Sequence, residues 1–76
     1  SNQTIKFGLN DRIAFVKHLF HGESEDFQRV VSQLNTFDSK SEADHFIHDI
    51  VKPEYGWNGK EEFEERFLTI INLRFE

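Results

Sequence analysis

The sequence predicts a small all-α protein, a bundle of four short helices within a single domain. Apolar residues recur at the spacing of an α-helix along almost the whole chain. No segment alternates between apolar and polar residues for long enough to be a strand. The polar connections are about three to seven residues long, as between helices that pack antiparallel. The 76 residues include no cysteine, so the fold depends on one packed core.

The first two helices are predicted over about residues 11 to 21 and 25 to 35. Each has its apolar positions on one face: Ile13, Val16, Leu19 and Phe20 in the first, and Phe27, Val30, Val31 and Leu34 in the second. Asn10 is a good N-cap for the first helix, and Ser24 for the second. Gly22 follows the first helix, where a glycine commonly ends one. We therefore expect these two faces to form part of the core.

The third and fourth helices are predicted over about residues 40 to 51 and 59 to 74. Their apolar positions are again helical: Ala43, Phe46, Ile47, Ile50 and Val51, then Phe63, Phe67, Ile70, Ile71 and Phe75. Ser39 begins a capping box with the glutamate three residues later, and Asn58 begins a variant of it. Pro53 is expected to end the third helix, because proline has no backbone N–H for the interior of a helix.

The formal net charge of −5 disfavours several classes of partner. A protein that binds nucleic acid through phosphates needs a basic face, and an anionic membrane surface also attracts basic segments. No apolar run approaches the roughly 20 residues of a membrane span, and no signal peptide is present. We expect no contact with nucleic acid or membrane, and the absence of cysteine fits a cytoplasmic location.

The chain begins with Ser1 and Asn2 rather than with methionine. Two such residues often remain after a purification tag has been removed. We therefore expect residues 1–76 to be one domain taken from a longer protein.

The only tyrosine and the only tryptophan, Tyr55 and Trp57, lie in the stretch EYGWNG between the third and fourth helices. One interpretation places both rings over the open end of the bundle, with their polar tips in water. The alternative is that they contact a ligand or a partner. The sequence leaves both interpretations open.

Three motifs resemble a helical domain found at the C-terminus of uncharacterised proteins of Bacteroidetes-type bacteria. An N-D-x-x-x-F-x-x-x-L-F-x-G pattern opens that domain, a G-W-[DN] element precedes its last helix, and R-F closes it. The matching residues are Asn10, Asp11, Phe15, Leu19, Phe20, Gly22, Gly56, Trp57, Asn58, Arg74 and Phe75. The resemblance implies a helical fold, a bacterial cytoplasmic setting and a more polar N-terminal region outside this sequence. It implies no activity, cofactor or catalytic residue.

Four histidines form two pairs at i, i+3, one of them His45 with His48. Together with Asp49, this pair could hold a divalent metal from one helix face. The helical projection places all four histidines on polar faces, where exposed side chains rarely have the supporting contacts of a metal site. We therefore expect no metal or other cofactor, and keep a metal site at His45, His48 and Asp49 as the alternative function.

Nothing in the sequence predicts an enzyme, and we expect no catalytic residue. Four glutamates cluster at the start of the fourth helix, where the helix dipole accounts for them: Glu61, Glu62, Glu64 and Glu65. Catalytic carboxyl groups need partial burial and separated pKa values. A helix-turn-helix DNA binder is the third hypothesis. Acidic residues and histidines in the third helix disfavour it, because a recognition helix needs Arg, Lys, Asn or Gln.

The function that the sequence favours is non-enzymatic protein–protein interaction. Several large apolar residues lie beside linkers or away from the centres of the predicted core stripes. Those expected to contact a partner are Trp57, Tyr55, Phe15 and Phe37. If they converge, they form an apolar groove that receives a segment of a partner protein or of a second copy. In a thin bundle all four could instead reach the core.

Overall fold

Five α-helices follow one another along the chain in the computed structural model, which describes residues 2–76. They are α1 (Leu9–Leu19), α2 (Ser24–Leu34), α3 (Lys40–Phe46), α4 (Lys52–Tyr55) and α5 (Glu61–Asn72). A π-helical turn at Ile47–Val51, here called the π segment, joins α3 to α4 without a break, and a 3₁₀ turn at Leu73–Phe75 follows α5. Because α3, the π segment and α4 form one continuous helix, the described backbone has four helices in all. Residues 2–76 contain no strand, which confirms the predicted all-α bundle. Across the same residues, no helix is both long enough and apolar enough to cross a bilayer.

Aromatic rings dominate the core, and Phe67 of α5 contacts several of them. Its ring packs edge to face against Phe15 of α1, with 5.3 Å between centroids, and against Trp57, with 5.6 Å. The largest fully buried side chains are Trp57, Phe15, Phe20, Phe27, Phe67, Leu19, Leu34, Ile47, Ile71 and Val51. Each aromatic pair contributes about 0.5–1.5 kcal/mol beyond the burial of its area. A short chain without disulfides depends on such packing.

α1 buries only part of the predicted face: Leu19 and Phe20 are fully buried as predicted, whereas Ile13 and Val16 give way to Phe15. Phe15 is 1% exposed, whereas Ile13 is 57% exposed and Val16 is only partly buried. The cause is the position of α1 against α5, where Phe15 packs edge to face on Phe67 and on Phe7. Because apolar residues occur on more than one face of α1, its tertiary contacts decide which of them is buried.

α1 begins at Leu9, two residues before the predicted start, and Asn10 is not its N-cap. Gly8 precedes the helix, and no side chain caps the first turn. Asp11 in that turn instead accepts two hydrogen bonds from Arg66 of α5, at 2.8 and 2.9 Å. This bidentate pair fixes α1 against α5.

The predicted caps differ in outcome. The Ser39 hydroxyl accepts the N–H of Glu42 at 3.2 Å, which confirms Ser39 as the N-cap of α3, and it donates to the Glu42 carboxylate at 3.1 Å in place of the backbone N–H of a complete capping box. Ser24 is the first residue of α2 rather than its cap. Asn58 does not cap α5, which begins at Glu61. The Glu61 carboxylate accepts the backbone N–H of Gly59 at 2.8 Å, which fixes the turn before the helix, and no side chain caps α5.

Helical backbone continues through Pro53, so the prediction that this proline ends the third helix was wrong. A proline inside a regular α-helix clashes with the carbonyl four residues earlier. The π segment widens the turn just before it, where the N–H of Lys52 donates to the oxygen of Ile47, five residues back. Pro53 therefore lies in the first turn of α4, a position that tolerates proline. Gly56, at φ 64°, ends α4.

Residues 2–8 form no helix and are fastened to the C-terminal turn. The backbone oxygen of Arg74 accepts the N–H of Gln3 at 3.1 Å, and its Nη1 donates to the oxygen of Gln3 at 2.7 Å. Nη2 of Arg74 donates to the oxygen of Phe37 at 2.8 Å, so one side chain joins three parts of the chain. Ile5 is buried in this contact and adds to the core.

Candidate functional site

A groove of about 360 Å³ lies between α2 and the π segment with α4. We call it the α2–α4 groove. Its lining residues are Arg29, Val30 and Gln33 of α2, with Phe46, Ile50, Val51, Glu54 and Tyr55 on the other side. Val30 and Val51 are buried and form its floor, whereas Ile50 is 54% exposed. The groove therefore combines apolar residues with one exposed charged residue from each wall, Arg29 of α2 and Glu54 of α4.

The π segment explains why Ile50 is exposed, although its spacing predicted a core residue. In an α-helix with 3.6 residues per turn, the residues three and four positions after Ile47 both lie near its face. A π turn contains more residues. Val51 therefore stays in line with Ile47 in the core, and Ile50 is rotated into the groove and towards solvent.

Tyr55 forms a polar end of the groove. Burial, and after it the Asp26 carboxylate, raise the pKa of the Tyr55 phenol above its ordinary value. Nη2 of Arg29 lies 2.9 Å from Oδ1 of the same carboxylate. The backbone oxygen of Tyr55 lies 2.8 Å from Nε2 of His21. The Tyr55 ring itself packs edge to face on Phe20, with 4.9 Å between centroids, which fixes its position beside the groove.

Two of the four predicted contact residues belong to this region. Tyr55 lines the groove, and Phe37 packs edge to face on Phe46 of its wall, with 5.4 Å between ring centroids. Phe15 and Trp57 lie in the core, at 1% and 0% exposure, and offer no surface to a partner in this conformation. That any of the four contacts a partner stays a prediction.

Trp57 is a core residue whose polar tip is satisfied inside the protein. Its Nε1–H donates to the backbone oxygen of Leu19 at 2.8 Å, in a buried hydrogen bond. The expectation that the indole tip meets water was wrong. The physical reason is that α1 ends at Leu19, and the last carbonyls of a helix need donors from outside it.

The proposed metal ligands lie on an exposed helix face. Nδ1 of His45 is 2.7 Å from the Asp49 carboxylate, and both side chains are exposed, as is His48. His18 is partly covered, because it stacks on Phe63 with 4.0 Å between ring centroids. Within residues 2–76, no three His, Cys, Asp or Glu side chains come close enough together to hold a metal ion. The geometry therefore gives the metal alternative no support.

The glutamate cluster at the start of α5 contains one buried member, which the sequence did not distinguish. Oε2 of the buried Glu64 lies 3.1 Å from Nζ of Lys52 in α4. Its Oε1 is buried without a hydrogen-bond partner in the part of the chain described. The other three members, Glu61, Glu62 and Glu65, are exposed. The cluster thus brings no second buried carboxyl group to Glu64, and the ion pair links α4 to α5.

A second exposed apolar surface lies on α1. Leu9, Ile13 and Val16 follow one another at i, i+4 and i+7, and the first two are exposed. We call this surface the α1 ridge. Beside it is a shallow cleft of about 320 Å³ whose charged lining residues, Arg12 and Lys17, are both cationic. The apolar spacing did not reveal this surface, because it assigned Ile13 and Val16 to the core.

Comparison with known proteins points to a family. A family model described as a domain of unknown function (DUF8457) matches residues 4–76. No curated protein and no solved structure matches the chain. The family match spans the same helices as the resemblance seen in the sequence, and it adds no activity, ligand or partner.

Proposed function

This chain belongs to the DUF8457 family, and we propose that it is a non-enzymatic protein–protein interaction module that binds through the α2–α4 groove. The observation that supports this best is Ile50, a large apolar side chain that the π segment places half in solvent. It lies in a groove with two partly buried aromatic rings, Phe46 and Tyr55. Single exposed apolar residues are common, whereas one grouped with aromatic rings in a groove is typical of a contact surface.

The π segment itself supports a role for this groove. A regular α-helix would keep Ile50 nearer the core. π turns are rare, and those within α-helices occur frequently at functional sites. This one also lets the helix pass Pro53, so accommodation of the proline is the competing explanation. If the π segment serves binding, loss of the Ile50 side chain should abolish contact with the partner. If it only accommodates Pro53, that loss should leave binding unchanged.

The groove suits an apolar segment with polar side chains at its flanks. Val30 and Val51 form a buried floor, the α2 wall carries Arg29 paired with Asp26, and the α4 wall carries Glu54. Complete burial of an isoleucine contributes about 1.5–3 kcal/mol, so covering the exposed half of Ile50 contributes about 1 kcal/mol. The floor, the aromatic rings and the edge charges must supply the rest of the affinity.

Enzymatic, metal-binding and nucleic-acid roles have less support. The titratable residues that line the groove are Arg29, Glu54 and Tyr55, which do not form a nucleophile–base pair. His45 and Asp49 have no third ligand beside them within residues 2–76. The net charge of −5 opposes binding to phosphates.

Affinity capture from a lysate of the source organism tests the proposal with three baits, the wild type, Ile50→Asp and Ile13→Asp. Ile13 is a matched control, because it is 57% exposed and lies on the α1 ridge. We expect a protein that the wild type and Ile13→Asp retain and Ile50→Asp loses. Circular dichroism establishes that each bait is folded. Loss from Ile13→Asp alone would move the binding surface to the α1 ridge, and equal recovery by all three would contradict the proposal.

A further inference from the structure

The α2–α4 groove has the features of a surface that pairs with itself. We propose that its occupant is the same groove of a second copy of this chain, related by a two-fold axis that runs along the groove. This inference rests on the proposed function, because it names the partner of that surface. A two-fold interface requires a patch that is complementary to itself.

The charges at the two edges of the groove meet this requirement. Arg29 is on the α2 side and Glu54 on the α4 side, and both are exposed. Rotation about an axis along the groove exchanges the edges, so each Arg29 faces Glu54 of the second copy. The dimer contains this ion pair twice. Arg29 already pairs with Asp26 through Nη2, so Glu54 of the second copy shares the guanidinium with that carboxylate through the remaining N–H donors.

The apolar contacts follow the same symmetry. Ile50 lies on the π-segment side of the groove, and the rotation places it against the α2 side of the second copy. There it meets Val30, whose side chain forms part of the floor, and the stem of Gln33. Each copy therefore covers the most exposed apolar side chain of the other groove at the same time.

The α1 ridge lacks this self-complementarity. Its exposed Ile13 resembles Ile50 in size and exposure, but Arg12 and Lys17 beside it are both cationic. Pairing the ridge with a second ridge would bring like charges together, which disfavours an interface. Of the two exposed apolar surfaces, the groove is the one that fits a second copy.

The size of the chain limits the stability of such a dimer. A stable interface covers about 800 Å² of each partner, which is about one sixth of the 4860 Å² that this chain exposes. The groove involves parts of α2, the π segment and α4 only. We therefore expect a weak dimer that forms reversibly between about 10 µM and 1 mM.

Sedimentation velocity of the full chain at low salt, over this concentration range, measures the equilibrium. The samples are the wild type, Arg29→Glu, Glu54→Arg, and an equimolar mixture of these two variants. Each variant alone places like charges at both pairs, so dimerisation is expected to weaken about tenfold or more. In the mixture, a dimer with one copy of each variant has opposite charges at both pairs, and dimerisation should return.

Recovery of the dimer in the mixture, and not in either variant alone, supports pairing of the groove with itself. Ile50→Asp should also abolish the dimer and Ile13→Asp should not, which keeps the test decisive if a charge variant does not fold. A wild type that stays monomeric throughout, or a dimer that none of these variants weakens, would overturn the inference. A monomeric wild type leaves the proposed function intact if Ile50→Asp still loses a captured protein, whereas equal capture by all baits removes the proposed function as well.

Discussion

Two large apolar side chains on opposite sides of α4, Trp57 and Ile50, lie in opposite environments. After α4, Trp57 enters the core and donates its indole N–H to the oxygen of Leu19 at the end of α1. Before α4, the π segment turns Ile50 outward into the α2–α4 groove. One side chain therefore contributes to stability, and the other is available at the surface.

The backbone on each side of α4 accounts for the difference. Gly56 adopts φ 64°, which reverses the chain and directs Trp57 back into the bundle. The backbone N–H of Trp57 then donates to the oxygen of Lys52 at 3.2 Å and closes the helix end. The π segment instead adds a residue to one turn and rotates Ile50 away from the core. A local departure from regular helix geometry thus decides which apolar side chain is buried.

Trp57→Ala, which changes the side chain that enters the core, is expected to have the largest effect on stability. It removes a buried ring that packs on Phe20 and Phe67, and it leaves the oxygen of Leu19 without its donor. Such substitutions lower the free energy of unfolding by about 3–5 kcal/mol, a large part of the stability of a small domain. Urea unfolding followed by circular dichroism measures the loss.

Trp57→Phe is the control for this substitution. It keeps most of the apolar volume and loses the N–H, so its unfolding midpoint should lie between those of the wild type and Trp57→Ala. A Trp57→Ala protein with the unfolding midpoint of the wild type would show that the ring is a surface lid and not part of the core.

Gly56→Ala tests the turn that directs Trp57 inward. The φ of 64° disfavours a side chain, and no atom lies within 4 Å of the added Cβ, so the cost is one of backbone conformation alone. We expect a loss of about 1 kcal/mol in the free energy of unfolding, measured by thermal melting. Gly56→Asn is the matched control, because asparagine tolerates the left-handed conformation better than other residues with a side chain. Equal losses for Gly56→Ala and Gly56→Asn would contradict this explanation.

Ser39→Ala tests the N-cap of α3, the first part of the continuous helix that runs through the π segment into α4. Removal of the hydroxyl leaves the N–H of Glu42 without its acceptor, and loss of such a cap costs about 1 kcal/mol of unfolding free energy. Ser24→Ala, at the first position of α2, removes a hydroxyl that makes no capping bond and should change stability by less than about 0.5 kcal/mol. Parallel denaturant curves would show whether the two serines differ.

The spacing of apolar residues was sufficient to predict the fold class, because it follows the period of the backbone. In α2 every predicted core residue is buried, since this helix has a single apolar face: Phe27, Val30, Val31 and Leu34. In α1 the same reasoning chose Ile13 over Phe15, and the choice was wrong. Which face is buried there depends on Phe67, a partner distant in sequence that the spacing of α1 does not contain.

The groove could be predicted only in part. Tyr55 was identified from its position beside a linker, and it does line the groove. Ile50 was assigned to the core, because a period of 3.6 residues does not encode a π turn. The sequence feature that could have indicated a π turn is Pro53, which follows the last apolar position of the helical pattern by two residues. A proline at this place predicts the end of a helix, whereas the chain widens the preceding turn and continues.

Asp11→Asn should lower the stability of the fold by less than Ser39→Ala does, and the loss should depend on pH. The pair of Asp11 with Arg66 fixes α1, which carries the acceptor of the Trp57 N–H. The hydrogen bond from Arg66 holds the pKa of Asp11 below its usual value. The pair therefore stabilises the fold fully above the unfolded-state pKa of about 3.9, and the contribution is lost as the pH falls from there through the folded-state pKa.

Melting temperatures of the wild type and Asp11→Asn across pH measure this contribution. The wild type should melt higher by a constant amount above about pH 5, and the gap should close below about pH 4. A gap of the same size at low pH would mean that the effect comes from packing and not from the ionised carboxylate.

The smallest effect on stability is expected at Ile50, on the outward side of the comparison. Ile50→Asp places a carboxylate where the side chain is already 54% exposed, so only the contribution of its covered half is lost, and the free energy of unfolding should fall by about 1 kcal/mol or less. Ile47→Asp, in the same π segment, places a charge at a position with no exposure and should prevent folding. Thermal melting of the two variants measures the contrast.

Because Ile47 and Ile50 are the same residue type in one helical turn, the difference between them isolates the orientation that the π segment imposes. Equal destabilisation would make Ile50 a core residue, and the α2–α4 groove would then lose the side chain on which its assignment depends. If Ile50→Asp melts with the wild type, any loss of capture or of dimer in that variant is a loss of contact and not of fold. The stability of this one variant therefore determines how every binding experiment on the groove is to be interpreted.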